Sequence, residues 1–215
     1  MKINQPNSSL LTIDNRLAEL DSLIQQLERD GARPCPGCTI PCSCSNSVEC
    51  TCNCRLECIN APQQLSSEHK LHPIEEKVLP LVFTLRQMDV CEPCWSCEGH
   101  LDENKKLNKI PQVWFHTSSL SLVRLMDYCF GIFKAKKIIS YTWQISVSYT
   151  APDCADNAFT IKPDLNSEEM VKLDLLQSDL KQIAQHLPAE LILCAKRHRS
   201  TFLNMRNKRT TSVAL

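Results

Sequence analysis

Apolar residues recur at helical spacing in four stretches of this chain and at strand spacing in others. In residues 9–30, Leu10, Ile13, Leu17, Leu20, Ile24 and Leu27 follow a 3-4-3-4-3 pattern that lines them up on one helical face. Gly31 and Pro34 stop that helix. The face suits a coiled-coil partner, such as a second copy, or the chain's own body. A second helix is predicted from about 73 to 89, with Pro73 at its first position and Ile74, Val78, Leu81, Leu85 and Met88 inward. Pro80 should kink it or shift its start. Ser118 or Ser119 can cap a third helix over 120–136, burying Leu122, Leu125, Met126, Cys129 and Phe133. Asn166 and Glu169 form a capping-box pattern for a last helix that buries Leu173, Leu176, Leu180, Ile183 and Leu187. Pro188 should interrupt it, with a weaker helix continuing to about 204.

The string QVWFHT at 112–117 predicts a buried strand, and residues 141–150 alternate as a half-buried strand does. Residues 158–161 suit a short returning strand. The order predicts an α+β fold: a small sheet of about three strands with helices on one face, plus an N-terminal helix and an irregular cysteine-rich module. Four segments follow: an amphipathic helix at 1–30, the cysteine module at 31–66, the α+β domain at 67–194 and a basic tail at 195–215.

The module resists the hydrophobic reading. Residues 31–66 are rich in Pro, Ser and Asn and hold too little apolar surface for a core, yet eight of the chain's fourteen cysteines stand there. Cys35, Cys38, Cys42, Cys44, Cys50, Cys52, Cys54 and Cys58 are spaced C-x2-C-x3-C-x-C-x5-C-x-C-x-C-x3-C. A C-x2-C pair can grip one ion across a tight turn, whereas C-x-C side chains on extended backbone diverge and can serve adjacent ions. Eight thiolates satisfy two tetrahedral zinc ions or a small bridged cluster. Iron–sulfur clusters and copper(I) also suit thiolate, and a disulfide framework would need an oxidising compartment. Metal-binding free energy would then act as folding free energy.

Three further cysteines, Cys91, Cys94 and Cys97, are spaced C-x2-C-x2-C in the string CEPCWSCEGH, with His100 three residues on. Three thiolates and an imidazole make a tetrahedral zinc set. Four ligands in ten residues demand a tight loop, so His116 or Cys129 could replace one of them. With only three protein ligands, zinc would lower the pKa of a water in the fourth position, the catalytic arrangement. Cys97 could also act directly, with His100 or His116 as acid–base partner. The ferredoxin continuation, a fourth Cys followed by Pro, is replaced by Leu101-Asp102. A simpler alternative is a helix-exit turn in which Gly99 supplies a positive φ. Cys129, Cys154 and Cys194 are isolated and read as small buried apolar residues.

Ser96-Cys97-Glu98-Gly99-His100 resembles a turn, Ser-Cys-x-Gly-His, found in uncharacterised bacterial and phage proteins. It is distantly similar to the Ser-Cys-x-Gly-Arg turn of the wybutosine-synthesis tRNA methyltransferase family, which Ser96, Cys97 and Gly99 match and in which His100 replaces Arg. The resemblance implies a ligand-facing turn. Cys91 and Cys94, which that turn lacks, favour a metal role over methyl transfer.

Net charge changes the picture only by its distribution. From Ala195 onward there are six Lys or Arg and no acid, so residues 1–194 carry eighteen basic and twenty-four acidic side chains, a net of −6. The basic tail could meet nucleic acid or an acidic protein, or simply be solvated. Aromatic residues beside it, Trp114 among them, could stack bases, although their spacing suits strand core. Glu75-Glu76 and Glu168-Glu169 look like solvated faces, and His69, His72, His186 and His198 like solvated or capping residues. Phosphate-loop, nucleophile-elbow and zinc-protease motifs are missing. No apolar run approaches about 18 residues and no secretory signal is evident, so the expectation is a cytoplasmic protein without a membrane span. The sequence thus points to a non-enzymatic zinc-binding protein, with an enzyme at 91–100 or a nucleic-acid binder as alternatives.

Overall fold

A computed structural model describes residues 10–28, 70, 73–149, 157–165 and 171–213. All eight module cysteines, His69, His72, Cys154 and the Asn166/Glu169 capping box lie outside these residues. The fold is α+β. Its elements are α1 (Leu10–Leu27), α2 (Leu79–Gln87), β1 (Glu92–Cys97), β2 (His100–Leu101), β3 (Leu107–Lys109), β4 (Gln112–Thr117), α3 (Leu120–Ala135), β5 (Trp143–Tyr149), β6 (Asn157–Pro163) and α4 (Leu173–Val213).

The main sheet is antiparallel, in the order β1-β4-β6-β5, with a separate β2-β3 ribbon. It has one more strand than expected because EPCWSC, which shows no clean alternation, pairs along the edge of β4. Pro93 is tolerated there because an edge strand need not donate on both sides. Val113 opposes Ile161 and Phe115 opposes Phe159; all four are buried and face the helices. Trp114, paired with Thr160, and His116, paired with Ala158, project from the other face. There Trp95 meets Trp114 edge-on at 5.6 Å.

Each helix forms for a local reason. α3 begins where Ser119 Oγ accepts the Leu122 N–H at 3.1 Å, the expected cap. In α2, Pro80 marks the start: the helix opens at Leu79 with proline in its first turn, where its missing N–H costs nothing. α1 buries Ile13, Leu17, Leu20, Leu23 and Ile24, packing against α4 of its own chain.

The expected break at Pro188 does not occur; α4 runs through it for 41 residues. Pro188 has no N–H to offer the Ala184 carbonyl one turn back. Thr84 of α2 supplies the missing donor: its buried hydroxyl donates to the Ala184 oxygen at 3.3 Å. The helix therefore crosses residue 195 unbroken, with Ala195 fully buried. Of the tail's basic residues, Arg199 and Arg206 pair with Asp21 and Asp14 of α1, and Lys196 with Glu28 just past its end.

One buried carboxylate organises the far end of the sheet. Asp179 of α4, 1% exposed, accepts the backbone N–H groups of Ser140 (2.7 Å) and Tyr141 (2.9 Å) and the Trp143 indole N–H (3.1 Å). Three donors on one carboxylate pin the entry to β5 against α4. No described helix is long and apolar enough to cross a membrane.

Candidate metal centre

Three segments converge where β1 ends. Cys97 is the last residue of β1 and His100 the first of β2. Gly99, at φ +85, reverses the chain between them, in the backbone region that glycine adopts without strain. A Cβ there would come within 2.8 Å of Leu173 Cδ1 and Pro111 Cδ, so crowding as well as dihedral angle demands glycine. The third segment is the approach to α2, which carries Glu75.

Two carboxylates clamp this approach to the β1–β2 turn. Glu98 N–H donates to Glu75 Oε2 at 2.6 Å, and Lys77 N–H donates to Glu98 Oε2 at 2.8 Å. Gln177 of α4 adds a bond from Nε2 to the Glu98 carbonyl at 3.2 Å. Glu75 is thereby held with its other oxygen facing the turn, where His100 Nε2 lies 2.8 Å from Oε1. Cys97 Sγ, a His100 ring nitrogen and a Glu75 oxygen all lie within 4.8 Å of one another, the only such group of ligand-type residues among the described residues.

Burial, the largest cause, pushes the Cys97 thiol up from its usual pKa, and the neighbouring Glu75 carboxylate pushes it the same way. A donated Gly99 N–H, 3.5 Å from the sulfur, and the charge of Lys109 act in the opposite sense. A thiol held protonated is a poor nucleophile, but a divalent ion would replace its proton. Thiolate and carboxylate together would neutralise that ion's charge, with neutral imidazole as third ligand. Cys97 is 5% exposed, whereas the side chains of His100 (41%) and Glu75 (33%) open to solvent, giving an ion a path in.

Of the expected tetrahedral set, the structure brings together Cys97 and His100 and sets Cys91 and Cys94 apart. Cys91 packs in the hydrophobic core, its Sγ 3.7 Å from the Leu85 carbonyl. Cys94 is exposed where the β1 register slips between Pro93 and Trp95. Both are displaced because 91–97 runs as extended strand; a compact loop would be needed to draw its thiols together. His116 opposes Glu92 while Cys97 opposes Gln112. That separation, four residues along β4, is roughly 13 Å, and places His116 beyond proton-transfer reach of Cys97. Its Nδ1 is buried with no hydrogen-bond partner among the described residues. Cys129 and Cys194 are buried beside each other between α3 and α4, small core residues as expected, and burial raises both thiols' pKa.

Glu75 is the residue that sequence reasoning missed. It looks like half of a solvated acidic pair, and only Glu76 behaves as one. No spacing rule connects it to a cysteine more than twenty positions downstream. Compared with known proteins, the chain matches no family model, no curated sequence and no solved structure.

Proposed function

We propose that this is a zinc-binding protein that holds one ion at Glu75, Cys97 and His100. The observation that carries the reading is the convergence of one sulfur, one nitrogen and one oxygen donor within 4.8 Å around a carboxylate fixed by a backbone N–H. A mixed S/N/O set suits a borderline-soft ion such as zinc; magnesium and calcium prefer oxygen alone. The carboxylate's bond to the Glu98 N–H is the kind of outer contact that keeps a metal ligand in place. The resemblance of the Ser96–His100 string to a ligand-facing turn agrees with this role.

The cysteine module, residues 35–58, is proposed as a second zinc-binding region, supported by its spacing alone. Thiols kept available for metal imply a reducing compartment such as the cytoplasm. A scaffolding or metal-handling role fits both sites. A second reading, an enzyme, draws on one observation: three protein ligands and a solvent-exposed His100 leave room for a water or substrate at the ion.

Cobalt(II) titration of the reduced full-length protein tests the proposal, because thiolate–cobalt charge transfer reports sulfur ligation. Cys97→Ala should remove one cobalt equivalent and its share of the charge-transfer absorbance, leaving the module's contribution. Absorbance and stoichiometry identical to wild type would refute the site.

A further inference from the structure

A cavity of about 410 Å³ lies between α1, α3 and α4, on a part of the molecule remote in sequence from Glu75 and Cys97. Its floor is apolar: Ile13 and Leu20 of α1, Leu125 of α3 and Phe202 of α4. Its wall carries Arg16, Arg124 and His198, and no acidic residue lines it. The absence of a carboxylate matters in a body with an acidic excess. The acids on the surrounding helices are engaged elsewhere. Asp14 and Asp21 pair with Arg206 and Arg199, Glu19 accepts the Ser119 hydroxyl, and Asp127 accepts the Ile145 N–H.

The two guanidinium groups are not consumed by these acids. Arg16 donates to the Ser121 hydroxyl at 3.4 Å, a neutral and long bond. Arg124 is exposed and has no hydrogen-bond or ion-pair partner among the described residues. His198 stands edge-on to Tyr128 with ring centroids 5.6 Å apart, which fixes it at the cavity wall. Two arginines beside an apolar trough match a ligand with a carboxylate at one end and an apolar body at the other. Guanidinium matches carboxylate in two-pronged geometry, and the volume falls within the range of small-molecule sites.

We propose that this cavity binds a small amphiphilic carboxylate, of the class of a medium-chain fatty acid, with its headgroup on Arg16 and Arg124 and its chain over Ile13, Leu20, Leu125 and Phe202. The site is independent of the metal centre.

The test is displacement of the fluorescent aromatic sulfonate 8-anilinonaphthalene-1-sulfonate from the full-length protein by three competitors. Decanoate carries both features, decanol lacks the charge and acetate lacks the chain. Decanoate should compete saturably at one site per chain, at least tenfold more tightly than either of the others. Arg124→Gln, at an exposed position that leaves the core untouched, should weaken decanoate about tenfold and leave decanol unchanged. Arg16→Gln provides the same comparison from α1, and circular dichroism checks that both variants stay folded. The proposal is overturned if decanol matches decanoate, if both folded variants bind decanoate as wild type does, or if no saturable competition is seen.

Discussion

Replacing Thr84 by Val should destabilise the protein through a carbonyl on another helix. The substitution keeps side-chain shape and removes one hydroxyl. In the native protein that hydroxyl donates to the Ala184 carbonyl, which Pro188 leaves without its helical donor. Thr84 and Ala184 are both buried, so water cannot take over. A buried acceptor left unsatisfied costs about 1–3 kcal/mol. At about 2–4 °C per kcal/mol for a chain of this length, a loss near 2 kcal/mol lowers Tm by roughly 4–8 °C. The assay is thermal and urea denaturation of wild type, Thr84→Val, Pro188→Ala and the double variant. In Pro188→Ala the restored N–H can serve Ala184, so Thr84→Val should then cost much less, a coupling of about 1 kcal/mol or more. A Thr84→Val cost below about 0.3 kcal/mol, or the same cost in both backgrounds, would refute the reasoning.

Three further outcomes follow from the same geometry. Asp179→Ala removes the shared acceptor of three donors at the start of β5, the buried Trp143 indole N–H and the part-buried Ser140 and Tyr141 N–H groups, and should cost about 2 kcal/mol or more, measured by urea denaturation; a loss under about 1 kcal/mol would mean those bonds contribute little. Gly99→Ala forces a side chain into a positive-φ position against Leu173 and Pro111; it should cost at least about 1 kcal/mol and weaken metal binding by moving His100, and unchanged cobalt affinity would contradict that link. Burial raises the Cys97 and Cys129 thiols, so folding favours their protonated forms. The contribution is fully present below the unfolded thiol pKa and is lost as pH rises toward the folded one. Metal-free protein should therefore lose stability with rising pH through the thiol range, and Cys129→Ala should flatten that slope; a slope unchanged by the substitution would count against it.

What could be read from the sequence was what local physics dictates. α1 and α3 follow from periodicity, and Ser119 caps α3 as a serine before an apolar run should. β4 follows from a string bounded by Pro111 and Ser118. What could not be read depends on distant partners. β1 is a strand because β4 offers it an edge; its own residues include a proline and two cysteines. β3 has the composition of a polar loop and pairs only with β2. Pro188 looks like a helix breaker until Thr84 arrives from a hundred residues away. At the candidate metal centre, Cys97, Gly99 and His100 are legible as one short string. Glu75 is not, because the chain reversal from α2 into β1 brings it there.

The Glu75–Cys97–His100 convergence is tested most directly by zinc content. Full-length wild type and the Glu75→Ala/Cys97→Ala/His100→Ala triple variant would be purified reduced, confirmed folded and assayed by elemental analysis for zinc per chain. Wild type should carry one ion more than the variant. Equal zinc content in the two proteins would contradict the assignment of this site.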